Sequence, residues 1–139
     1  SEHFSVVRVR DTSKFKQFRK GIAQLDEEGV VQVLRDADSG DQAPVLAAVG
    51  PMQFEVVSYR LESEFGAAIE LTPTSYRAAR RTDEESSPAL RGMRGVDVLR
   101  RSDGTLLALF ESTYWLDRVV AENPELRLDK LVAEGDLHL

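Results

Sequence analysis

The stretch Ala47-Ala-Val-Gly-Pro-Met-Gln-Phe-Glu-Val-Val-Ser-Tyr-Arg-Leu-Glu-Ser-Glu-Phe-Gly66 decides how this chain folds. An apolar segment runs into Gly50, and Pro51 stands at the first helical position, where its missing N–H costs nothing. Phe54, Val57, Leu61 and Phe65 then recur three and four apart, giving a helix one apolar face until Gly66 stops it. This is a strand-to-helix elbow signalled at both ends.

Working outward, residues 4–10 read as a β-branched strand with Arg8 and Arg10 on one face and Val7 and Val9 on the other. Asp11, Thr12 and Ser13 supply capping oxygens to a helix over 14–28, whose Phe15, Phe18, Ile22 and Leu25 draw a single apolar stripe and which Gly29 ends. Residues 30–36 and 44–50 read as two further strands, joined by the polar loop 37–43, and 68–72 as a short strand after the elbow helix. The order strand, helix, strand, strand, helix, strand predicts an α+β, ferredoxin-like βαββαβ split sheet with two helices on one face, spanning residues 1–74.

Residues 75–139 predict a smaller α/β extension packed on that domain. A strand is expected at 75–81, an exposed loop or linker at 82–88, and a hairpin of 96–101 with 105–110 around Asp103-Gly104. Ser112 caps a helix running to Asn123, Pro124 stops it, and Leu126, Leu128 and Leu131 suggest a last short strand.

The totals exclude several classes. At 139 residues, 42% hydrophobic and 30% charged, the composition is that of an ordinary globular chain. No apolar run approaches the roughly 20 residues needed to cross a bilayer, and no signal peptide is visible, which fits a cytoplasmic protein. Zero cysteines exclude disulfides and thiolate metal sites. A net charge of -6 argues against indiscriminate nucleic-acid binding. The charge is unevenly spread, however. Arg8, Arg10, Lys14, Lys16, Arg19 and Lys20 load the start, and Arg77, Arg80 and Arg81 open a second basic region, so local RNA contact on an acidic body is expected.

Catalytic chemistry finds no foothold. A phosphate-binding loop and a glycine-rich dinucleotide turn are both missing from the sequence, and the two histidines, His3 and His138, stand near the ends. Asp26, Glu27 and Glu28 crowd the last turn of the first helix, where the dipole disfavours negative charge. They read either as a solvated helix end paired with an arginine or as a partner contact. Lys16 and Lys20 share a helix face and could meet a phosphate backbone. Tyr59 and the pair Tyr114-Trp115 read as core rather than as base-stacking platforms. Gln24, Gln32 and Gln53 flank apolar stripes, where they either bond at a domain boundary or face water.

Three segments carry a family resemblance. Gln24-Leu-x-Glu27-Glu-Gly-x-Val-Gln-Val33, Val49-Gly-x-Met-Gln-Phe54-x-Val56 and Arg60-Leu-x-Ser-Glu-Phe65 closely resemble the C-terminal domain of the bacterial release factor 3 family of translational GTPases. The likeness extends from Arg8-Val-Arg-Asp11 to Pro124-Glu-Leu-Arg-Leu128, more loosely in the second half. It implies a fragment whose parent binds GTP and magnesium in an N-terminal domain, carries a β-barrel, and recycles the decoding release factors from the ribosome. This part would then dock on small-subunit rRNA and ribosomal protein and contact the missing domains, with no chemistry of its own.

The candidates are accordingly Arg8, Arg10, Lys14, Lys16, Lys20, Arg77, Arg80 and Arg81 for ribosome or RNA contact, and Gln24, Glu27, Glu28, Gln32 and Gln53 for interdomain or partner contact. No catalytic, cofactor or metal residue is assigned. The alternatives are the corresponding domain of another translational GTPase, a stand-alone ferredoxin-like module that senses a small molecule or dimerises, and, with least support, a carboxylate-pair hydrolase.

Overall fold

A computed structural model describes residues 2–36 and 43–131 of the chain. The expected loop 37–43, apart from Ala43, and His138 lie outside the described residues. The chain divides into two compact units, residues 1–74 and 75–139.

The first unit runs β1 (His3–Val9), α1 (Phe15–Glu27), β2 (Gln32–Arg35), β3 (Val45–Ala48), α2 (Met52–Phe65) and β4 (Ile69–Pro73). Its strands order as β4-β1-β3-β2 with every neighbouring pair antiparallel, the expected split arrangement. Cross-strand register places Val7 opposite Leu71, Val9 opposite Ile69 and Val33 opposite Leu46, so these residues share one largely apolar face, in which buried Ser5 is a polar member. Phe18, Ile22 and Leu25 of α1 and Val57 and Leu61 of α2 are buried in the same cluster as these strand residues. Both helices therefore cover one face.

The helix ends follow local chemistry. Gly29, at φ 79°, closes α1 through Val30 N–H to Leu25 O at 3.0 Å and Gly29 N–H to Asp26 O at 3.0 Å, a left-handed cap only glycine adopts freely. Gly66, at φ 67°, ends α2 in the same way. At the elbow, Pro51 has no side chain that can cap. Gln53 does this instead: its Oε1 accepts from Gly50 N–H at 2.8 Å, while its Nε2 donates to Val30 O at 2.8 Å. One polar side chain thus ties the start of α2 to the turn after α1. Between the helices, Gly21 is buried, and a Cβ there would lie 2.5 Å from Leu61 Cδ2, so its lack of a side chain sets their close approach.

The second unit runs β5 (Ala78–Thr82), α3 (Ser87–Arg91), β6 (Val96–Arg101), β7 (Leu106–Phe110) and α4 (Thr113–Glu122), with strand order β6-β7-β5, antiparallel throughout. All five residues of β7 are buried, as suits a central strand. The hairpin turns at Gly104, φ 92°, with Thr105 N–H donating to Asp103 Oδ1 at 3.0 Å. Ser112 caps α4 by accepting from Trp115 N–H at 3.1 Å.

Three expectations are corrected here. Residues 82–88 are a loop only in part: 83–86 turn with Glu84 and Glu85 exposed, but Thr82 ends β5, Ser87 and Pro88 open α3, and Ser86 and Ser87 are buried. Asp83 organises the segment by accepting from Ser86 N–H at 2.8 Å, a bond that holds its carboxyl below the ordinary range. Leu126, Leu128 and Leu131 form no strand; Arg81 and Asp129 make only an isolated bridge. Tyr59 and Tyr114 are not core, being 73% and 71% exposed, although Trp115 does pack on the second core.

Candidate docking surface

The outer face of α1 carries a charge order opposite to the one the helix dipole favours. Lys14, Lys16, Arg19 and Lys20 crowd its start, and Asp26, Glu27 and Glu28 its end; the first turn contains no acid and the last turn no base. Lys16 and Lys20 are moreover four apart and of like charge, which costs the helix a few tenths of a kcal/mol. Folding alone would prefer the reverse order.

The register of α1 over β2 turns this row of cations into a groove. Lys16, Arg19 and Lys20 line it from the helix with Ala23, and Arg35 lines it from the end of β2. Arg19 also rests over the Phe15 ring, 5.9 Å from its centroid, which fixes the guanidinium stem. Sequence reasoning finds Lys16 and Lys20 but leaves Arg19 and Arg35 out of the candidates. The spacing of Arg19 three residues after Lys16 was a usable signal. Arg35 had none, because strand and helix meet only in the fold.

Further along α1, Lys20, Ala23, Gln24, Glu27 and Glu28 border a shallow depression. Glu28 receives both ends of the Arg60 guanidinium, Nη1 onto Oε1 and Nη2 onto Oε2 at 3.2 Å, together with Gln24 Nε2 at 2.9 Å. The hydrogen bonds from Arg60, then that from Gln24, pull its carboxyl from the ordinary 4.5 down to about 2. Arg60 in turn holds Glu64 at 2.8 and 2.9 Å, and these two acids raise the guanidinium above its ordinary value. Glu28 thus pairs with an arginine, whereas Glu27 is exposed.

The other candidates lie apart from this groove. Arg8 faces away from the helices, opposite Glu70 across the β1–β4 pair, and Arg10 donates its Nε to Ile69 O at 2.8 Å. Lys14 ends the one-turn 3-10 helix Thr12–Lys14 that Asp11 caps through Ser13. Gln32 is half-buried in β2, and Gln53 spends both polar ends on the elbow. In the second unit Arg77 is exposed, Arg80 donates to Ala79 O at 2.8 Å, and Arg81 is half-buried with its N–H on Asp129 O at 2.8 Å. Among the described residues no group of three or more histidines, aspartates or glutamates could hold a metal ion, and no helix is long and apolar enough to cross a membrane.

Fold and surface together define a ferredoxin-like α+β domain whose distinctive chemistry is a charge-segregated helical layer. Comparison with known proteins gives the class a family. The chain belongs to the family described as class II release factor RF3, C-terminal domain, whose model matches residues 1–120. Among its relatives, the peptide chain release factor 3 of Microcystis aeruginosa is 38% identical over 136 residues, covering 96% of this chain and 25% of that protein. The peptide chain release factor 3 of Synechococcus elongatus is 38% identical over 129 residues, 91% of this chain and 23% of that protein. That of Synechocystis sp. is 38% identical over 139 residues, 98% and 25%. The chain spans about a quarter of the length of the curated relatives it matches. The segments 24–33, 49–56 and 60–65 all lie within the residues that the family model matches.

Proposed function

We propose that this chain is the ribosome-docking and interdomain-coupling domain of a cytoplasmic translation-termination GTPase that promotes recycling of the decoding release factors. Its direct partners are small-subunit rRNA, ribosomal protein, and the GTPase and β-barrel domains of the same polypeptide; the decoding release factors are affected indirectly. GTP and magnesium belong to the missing nucleotide-binding domain. The residues here do not suit them, since the sequence has no phosphate-binding loop and the described residues gather no acidic cluster for a metal. The domain transmits orientation rather than reacting.

The observation that carries this reading is the groove of Lys16, Arg19, Lys20 and Arg35. Cations from two elements line one groove, and the helical ones gather toward the start of α1, the end at which its dipole disfavours positive charge, a pattern suited to phosphate contact. Each phosphate neutralised releases counterions, so the contribution should be read from its salt dependence.

The test uses the full-length parent protein carrying Lys16→Ala, Lys20→Ala and Arg35→Ala together. Co-sedimentation with purified ribosomes across a salt series is expected to show roughly tenfold weaker binding and a log–log salt slope shallower by about 2 to 3. Unaltered affinity and slope would remove the groove from the interface.

A further inference from the structure

Helix α2 presents a second surface of different chemistry. Met52, Val56 and Tyr59 recur at i, i+4 and i+7 on the side opposite buried Val57 and Leu61, and they are 69%, 41% and 73% exposed. Val49, just ahead of the elbow, is 50% exposed. Scattered apolar residues on a surface need no explanation, but an aligned stripe on one helix, ending in a methionine and a tyrosine, has the composition of a contact core.

The edges of the stripe specify its partner. Glu55 and Glu62 flank one side, both exposed. On the other side Arg60 is already held by Glu28 and Glu64. The charge available beside the apolar stripe is therefore negative. A phosphate backbone would be repelled by it. A second copy of this chain is disfavoured too: in a two-fold antiparallel helix pair each edge faces its own counterpart, setting Glu55 and Glu62 against themselves.

We infer that the Met52–Val56–Tyr59 stripe of α2 docks a positively charged protein segment bearing apolar side chains, whose cations meet Glu55 and Glu62. The inference rests on the ribosome-docking reading and deepens it: the helical layer distinguishes two chemistries, RNA at the α1 groove and basic protein at α2. The bidentate Arg60–Glu28 bridge and the close approach at Gly21 hold the two surfaces in one fixed relation.

The test places a photoreactive benzoylphenylalanine at Tyr59, and separately at Met52, of the full-length parent bound to purified ribosomes. Mass spectrometry then identifies what is crosslinked. A crosslink from either position to a basic segment of a ribosomal protein is the expected result. Crosslinks confined to rRNA, to the same polypeptide or to a second copy, or none from either position, overturn the inference. The variant Glu55→Lys with Glu62→Lys adds a reading of sign: ribosome affinity should fall about tenfold. Added positive charge would tighten an RNA contact, and it would leave an unengaged surface unchanged; either outcome defeats the proposal. Failure of the unmodified parent to sediment with ribosomes defeats both readings, whereas sedimentation without the protein crosslink defeats only this one.

Discussion

Helices α1 and α2 lie on the same sheet face, each closed by a left-handed glycine, yet their outward surfaces share nothing. The outer face of α1 carries cations toward its start and acids at its end, ordered against its own dipole; that of α2 exposes an apolar stripe rimmed by acid. The buried faces obey one rule, complementarity to the strand residues beneath. The exposed faces answer to no such constraint, so their departures from what a solvated helix prefers carry the information about partners.

The largest effect should come from the face the helices have in common. Leu61→Ala removes a fully buried side chain at the helix–helix contact and is expected to cost about 3 kcal/mol, read from denaturant unfolding. A loss below about 1 kcal/mol would mean that the two helices are not jointly pinned. Gly21→Val inserts branched carbons where even a Cβ would press on Leu61 and Phe65, at a cost of about 2 kcal/mol by the same measurement. A neutral result would show that α1 and α2 can part without penalty.

The outward faces predict smaller changes with a distinctive sign. Lys16→Glu places an acid near the positive end of α1 and should stabilise the domain by about 0.5 kcal/mol while weakening ribosome binding. Loss of both stability and binding would show that Lys16 serves folding. The smallest effect belongs to Glu28→Gln. Because the folded carboxyl sits at about 2 against an ordinary 4.5, its bridge to Arg60 contributes fully above pH 4.5 and fades as pH falls toward 2. Melting temperatures of parent and variant should differ near neutrality and converge in acid. A gap that persists to pH 2 would assign the effect to packing.

What was legible in the sequence was local. Gly29, Gly66, Ser112 and Asp103-Gly104 each encode a single backbone event, and each lies where the chain turns or a helix begins or ends. The split order of the first unit followed from those punctuation marks. What escaped was decided at a distance. Tyr59 read as core because α2 has apolar residues on more than one side, and only its register over the sheet selects Val57 and Leu61 for burial. Arg35 joins Lys16 across 19 positions of sequence, a proximity no periodicity announces. The segment 82–88 reads as a polar loop, yet Ser86 is buried because its N–H is held by Asp83 and its Oγ accepts from Arg127 N–H, 41 positions away. Gln53 flanks an apolar stripe in the sequence, and only the fold brings its amide onto Gly50 N–H and Val30 O, the latter 23 positions away.

That amide has a consequence for recognition. The opening turn of a helix ordinarily frays, and a methionine placed there would sample many positions. Gln53 clamps the turn from both directions, so Met52 stands on backbone that is already ordered before any partner arrives. Association at this spot then forfeits little main-chain entropy, and the slow amide exchange of a clamped first turn would be its signature in the free protein.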